Sequence, residues 1–306
     1  MPGPHSHHSA FSTDARILKI TGWLTGIYFV VELAVGIWTG SIAVLSDAFH
    51  TFSAVGGVLI ALVAANFASR PASQYATFGL IRAEIMGALF NGIFLVGMAF
   101  LIMWMGVQRL RSPIELPTTP MLAVAVGGLV TELIAMRLMF RRQKDNLNMR
   151  GAYWHVLQTF VGSLIIIVAA LVIRFTGFLA IDPILGMLFG LALFAASWGI
   201  IRDSTRILLD TVPADLDLAA ITRAVADLQG VIDVHHAHAR ALTTGRNIVS
   251  MHVLVDADAA SESLQREVFE LLTDRFGVYF STVQLETECL ESEEAEAIDY
   301  SLNSAP

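Results

Sequence analysis

Six apolar stretches, each of about bilayer-crossing length, constrain this chain more than any other feature. They run over 17–38, 41–67, 83–107, 117–140, 152–173 and 179–201. Only Thr39-Gly40 separates the first two, which predicts a tight helical hairpin. Arg70-Pro71 ends the second stretch, and Pro113, Pro117 and Pro120 part the third from the fourth. Hydrophobic residues make up 55% of the chain and charged ones 15%, and the mean hydropathy is +0.63. A soluble chain of this length carries more charge on its surface. The expected fold is therefore a polytopic α-helical membrane protein with six transmembrane helices spanning 16–202.

Charge divides the chain at the end of the sixth stretch. Residues 1–202 hold 13 Lys+Arg against 8 Asp+Glu, and residues 203–306 hold 6 against 19. So acidic a tail repels phosphates, which excludes nucleic acid as a partner. Basic residues in the short loops set the orientation. Arg16, Lys19, Arg70, Arg82, Arg141, Arg142, Lys144, Arg150, Arg202 and Arg206 fall on one side; Arg109, Arg111 and Arg174 fall on the other. Both termini are thus expected in the cytoplasm, with the chain in the cell (inner) membrane.

The periodicity changes after residue 203. Stretches 215–229 and 261–276 read as helices, and 231–242, 247–256 and 279–287 as strands, with Thr243-Thr244-Gly245-Arg246 as a turn. The order αββαβ predicts a small α+β domain over 203–287, a sheet with helices on one face. Residues 1–15, which contain His5, His7 and His8, and the acidic 288–306 read as disordered tails. No cleavable leader pattern opens the chain. The one cysteine, Cys289, excludes an internal disulfide and reads as incidental. No nucleophilic triad, phosphate loop or glycine fingerprint appears, so nothing points to an enzyme.

An ionisable side chain at membrane depth costs roughly 2.5–3.5 kcal/mol on insertion scales, so each one calls for a reason. Glu32, Asp47, His50, Glu84, Glu132, His155 and Asp182 are such residues, with Asn91 as a neutral companion. Asp47 and His50, three apart, share a helix face. Imidazole suits zinc and similar divalent ions, so one reading brings His50 and His155 together on a metal. The other leaves them as buried histidines held by hydrogen bonds. Arg82 and Glu84 open the third helix and read as a structural salt-bridge pair. Glu32 and Asn91 read as helix–helix hydrogen-bonding groups.

The stretches GSIAVLSDAFHTFS (40–53), YATFGLIRAEIMGALFNG (75–92), NLNMRGAYWHVL (146–157), DPILGMLFGL (182–191) and GVIDVHHAHARALTTGRNIVSMHVLVD (230–256) resemble the cation diffusion facilitator family of divalent-metal efflux transporters. The likeness runs from about residue 17 to 286. It implies a homodimer, a transport site between the second and fifth helices, metal/proton antiport, and a cytoplasmic domain of ferredoxin-like shape. It also implies zinc as the foremost substrate or regulator.

The sequence departs from that pattern at the site itself. Zinc members of the family offer His and, four residues on, Asp from both helices. Here the pairs are His50 with Ala54 and His155 with Thr159. Both imidazoles stay and both anionic oxygens are lost, although a desolvated divalent ion needs compensating charge. Three readings stay open: a site rebuilt with Asp47 and aided by Glu132 or water; a differently coordinated cation; or a non-transporting subunit in a heterodimer. The membrane candidates are therefore His50, His155, Asp47 and Thr159. In the tail, His235, His236 and His238 sit on one strand and His252 on the next. The resemblance maps His235, His252 and Glu286 onto zinc-binding positions of the family's cytoplasmic domain. Ordinary strand histidines facing solvent are the alternative.

Overall fold

The computed structural model describes residues 6–68, 72–140, 147–258 and 262–289. The chain divides into two compact units: Met1–Val63 with Gly87–Ile201, and Ala64–Met86 with Arg202–Pro306. The boundary near residue 202 falls where the charge changes sign. The second unit also takes in Ala64–Met86, which the sequence reading assigns to the membrane domain.

The first unit is built from α1 (Ser6–Thr39), α2 (Ile42–Ala68), α3 (Ala83–Arg111), α4 (Thr118–Met139), α5 (Leu147–Thr176) and α6 (Ile181–Leu208). Among the described residues, five of these helices are long and apolar enough to cross a membrane, and α2 adds the described apolar run Ile42–Phe52. Helix α1 begins at Ser6, inside the stretch 1–15 expected to be disordered. Once a helix is nucleated, each further turn costs little, so a membrane-anchored helix extends beyond its apolar part. Residues 1–5 and 290–306 of the two expected tails lie outside the described residues.

This unit buries polar and acidic groups among its apolar core while large apolar side chains face outward. Trp23, Trp38, Trp104 and Phe175 stand exposed, whereas Glu32, Ser41, Ser46, Asp47, Thr159, Ser163 and Asp182 are buried. Water would favour the reverse; a hydrocarbon surround favours this one, because polar groups find partners only inside the bundle. An apolar cluster from α1, α2, α4 and α5 includes Tyr28, Val44, Met121, Val124 and Ile166. The hairpin at Thr39-Gly40 forms as expected. Gly40 takes φ +69, a conformation that side-chain-bearing residues rarely adopt.

In the second unit the order is α7 (Leu218–Ala226), β1 (Val231–Thr243), β2 (Arg246–Val255), α8 (Glu262–Glu270) and β3 (Phe280–Glu286). A wider π turn, Leu271–Arg275, continues α8. Strands β1 and β2 pair antiparallel and β2 and β3 parallel, in the order β1-β2-β3. Val249, Met251, Val253 and Val255 alternate along β2 into a core shared with Ile221 and Val225 of α7 and Leu264 and Val268 of α8. Asp217 caps α7 by accepting from the Ala220 amide at 3.0 Å. The αββαβ domain is thus as the alternation predicts.

Arg82 pairs with Asp210, and Arg240 reaches the same carboxylate at 3.5 Å. Glu84 accepts a hydrogen bond from Thr243 at 3.0 Å. The expected salt-bridge role therefore holds for Arg82, while Glu84 instead engages a hydroxyl.

Candidate metal centres

The membrane centre begins with how α2 is started. Asp182, in the first turn of α6 and with no exposed surface, accepts from the Ser41 hydroxyl and from the amides of Ile42 at 2.8 Å and Ala43 at 3.3 Å. The Ser41 hydroxyl also accepts from the Val44 amide at 3.1 Å. A helix N-terminus presents unpaired N–H groups and partial positive charge, and this carboxylate answers both. The close approach depends on Gly186, where a Cβ would come within 2.8 Å of the Ile42 carbonyl carbon. Sequence reading found Asp182 as a buried acid but not as the cap of another helix.

Two turns along α2, His50 meets His155 of α5. Their ring centroids lie 5.3 Å apart with planes 25° from parallel, and Phe189 of α6 packs edge-on against His50 at 5.4 Å. Nε2 of each histidine has no hydrogen-bond partner among the described residues. The two imidazoles sit together with both Nε2 atoms buried.

Asp47 is buried and its carboxyl group meets that of Glu32 on α1. It packs on α5 at Gly162, where a Cβ would fall 2.0 Å from Asp47 Oδ1. That is about two helical turns beyond His155, deeper in the bundle. Thr159 is buried and donates its hydroxyl hydrogen to the Val156 carbonyl at 2.9 Å. Glu132 of α4 accepts from Ser163 at 3.1 Å, and Glu32 of α1 accepts from Thr51 at 3.4 Å. The side chain at position 54 lies outside the described residues.

The second centre lies on the face of the three-stranded sheet turned away from its apolar core. His235 and His252 are direct cross-strand partners with ring centroids 5.5 Å apart. Glu286, at the end of β3, places Oε1 2.7 Å from His235 Nε2 and Oε2 3.5 Å from His252 Nδ1. The register slips between His235 and His238, and His236 there takes φ 48. A bulge of this kind re-aims side chains. It puts Ala237 and Ala239 into the core while leaving His235 opposite His252. His236 packs against His252 at 5.3 Å between centroids, and His238 is exposed.

Cys289, which the sequence reading treats as incidental, sits beside this cluster. Its sulfur lies 3.6 Å from His235 Nε2, and ligand atoms of His235, Glu286 and Cys289 all fall within 4.8 Å of one another. Nitrogen, carboxylate oxygen and thiolate sulfur at such spacing form a set that zinc accepts. Its position three residues beyond Glu286, at a strand end, was the available signal. The residue's isolation in the sequence hid it.

A helical unit with paired imidazoles inside and a sheet domain carrying a His/Glu/Cys cluster define a membrane protein that handles metal cations. Residues 18–209 match the cation efflux transmembrane domain and residues 213–288 the cation efflux protein, cytoplasmic domain. The chain belongs to the cation efflux family. It is 36% identical over 296 residues to the cation efflux system protein CzcD of Alcaligenes sp. (strain CT14), covering 96% of this chain and 93% of that one. It is 33% identical over 291 residues to the zinc transporter ZitB of Escherichia coli (strain K12), covering 94% and 93%. Against the cadmium, cobalt and zinc/H(+)-K(+) antiporter of Bacillus subtilis (strain 168) it is 32% identical over 289 residues, covering 93% and 92%.

Proposed function

We infer that the protein exports a divalent cation, zinc foremost, from the cytoplasm across the inner membrane in exchange for protons. It works as a homodimer with all six helices spanning the membrane and both termini in the cytoplasm. The observation that carries this reading is the His50–His155 pair, 5.3 Å between centroids, contributed by two helices of a family built for cation efflux. His50 and His155 are the nitrogen ligands. Thr159, on the His155 face, offers a hydroxyl lone pair or holds a water on the ion. Asp47, Glu132 and Glu32 supply the negative charge that positions 54 and 159 lack, acting through the bundle interior rather than as direct ligands. The cytoplasmic cluster of His235, His252, Glu286 and Cys289 binds a second divalent ion that steadies the dimeric tails.

The non-transporting subunit is the less supported reading, since the relatives carry efflux, transporter or antiporter names along nearly their whole length.

The test is flux. Purified full-length protein in vesicles, given a pH gradient and zinc, is expected to move zinc, and His155→Ala to reduce the rate more than tenfold. Wild-type protein that binds zinc but moves none would overturn the transport reading.

A further inference from the structure

We propose that the chain's own C-terminal segment, through Ile298, Tyr300 and Leu302, docks in an apolar groove on the open face of the three-stranded sheet. The groove, of about 880 Å³, lies wholly within the second unit. Phe78, Val212, Leu216, Ile248 and Phe280 give it apolar walls. Leu216 and Ile248 are buried, whereas Phe78, Val212 and Phe280 stand about half exposed. Aromatic and branched side chains gathered half exposed in one concavity mark a site for an apolar partner.

The register of the sheet places the groove relative to the end of the chain. Val249, Met251 and Val253 enter the core, so Ile248, Ser250 and His252 point the other way. Phe280, Thr282 and Gln284 of β3 lie beside these three in turn, and Arg240, His238 and His235 of β1 flank them on the other side. The groove takes the Ile248–Ser250 end of this face. His235, His252 and Glu286 cluster at the opposite end. Strand β3 therefore enters beside the groove at Phe280 and leaves beside the cluster at Glu286. Six residues at about 3.3 Å each put roughly 20 Å between the two ends.

Reach, charge and pattern single out the occupant. Cys289 sits at the cluster, and the residues after it read LESEEAEAIDYSLNSAP. From Cys289 to Ile298 the chain extends up to about 30 Å, which spans the face with slack. The run 291–296, with four glutamates and no basic residue, then passes along the strip of His252, His238 and Arg240, groups that carry or take up positive charge. Beyond it Ile298, Tyr300 and Leu302 alternate with Asp299 and Ser301, so an extended segment shows the three apolar side chains on one face. They repeat about every 7 Å, the same step that separates Ile248 from Ser250 on β2. A tether within the chain keeps the segment at about millimolar effective concentration, so modest burial is enough to hold it. Docked there, the segment packs on the sheet and also on Phe78, in the connection between α2 and α3, and braces that connection. The proposal does not depend on transport through the histidine pair.

The experiment is disulfide trapping in metal-free, full-length protein in detergent. Cys289→Ser removes the chain's one thiol, and Thr282→Cys with Tyr300→Cys supplies a new pair, Thr282 being exposed at the groove. A disulfide needs Cα atoms within about 7 Å, so its rate of formation under diamide reports proximity. The bond is expected within one chain, at least tenfold faster than in the control pair Gln265→Cys/Tyr300→Cys, whose partner is exposed on α8, across the sheet. Adding Ile298→Asp and Leu302→Asp should bring the rate down to the control, and diluting the protein should leave it unchanged. Equal rates for the two pairs, or no slowing by the aspartates, would overturn the proposal. So would a bond that joins two chains, which would give the groove to a second copy. If Thr282→Cys disturbs the groove, Ser250→Cys takes its place, and a rate no higher than the control there overturns the proposal instead.

Discussion

Asp182 holds a carboxyl group with no exposed surface, and three donors at the start of α2 make that burial tolerable. Asp182→Ala leaves the Ile42 and Ala43 amides and the Ser41 hydroxyl without their acceptor. An unsatisfied buried donor costs about 1–3 kcal/mol. The variant is therefore expected to unfold at a clearly lower temperature in detergent, while a surface change such as Arg202→Gln leaves the midpoint in place. The acid was legible in the sequence as a residue that needed a reason; its partners were not, because they lie about 140 residues away. Cys289 shows the same limit. Being the chain's one thiol, it gives an unambiguous readout: zinc should protect it from alkylation, and His235→Ala should remove most of that protection. Alkylation at the same rate with and without zinc would take Cys289 out of the cluster. The two membrane histidines, by contrast, could be singled out by type and depth, and only their stacking required coordinates.

Among whole elements, close helix contacts hinge on glycines that the sequence marks only as small. Gly186 faces backbone atoms of Ile42 and Ala43, which cannot step aside as a flexible side chain can. Gly186→Val is expected to lower the folded yield severalfold by size-exclusion chromatography. Gly97, also in an apolar helix, has open space where a Cβ would stand, with no neighbour within 4 Å, and Gly97→Ala should be near neutral. The helices and strands themselves were legible from period and punctuation. The bulge at His236 was not. A one-residue slip moves side chains to the other face of a sheet, and simple alternation would have put His235 on the same face as Ala237. The slip is what leaves His235 facing Glu286 and His252.

For the whole molecule, the inversion of polarity decides the medium, and apolar block length and loop charge made it readable before any coordinates. What the blocks do not encode is how the bundle compensates for the anionic oxygens missing at positions 54 and 159. If their loss limits affinity, restoring both with Ala54→Asp/Thr159→Asp should tighten zinc binding at least tenfold, measured by competition with a chelating dye. No tightening would mean that Asp47, Glu132 and Glu32 already provide all the charge the ion uses.

The clasp between Asp182 and the start of α2 ties that helix to α6. Helix α2 also lies against α5, where Asp47 meets Gly162 and His50 stacks on His155. A helix pinned at its start and touching its neighbour further along can pivot: tilting α2 about the clasp would swing His50 off His155, so the anchored end serves as a fulcrum for letting the cargo go.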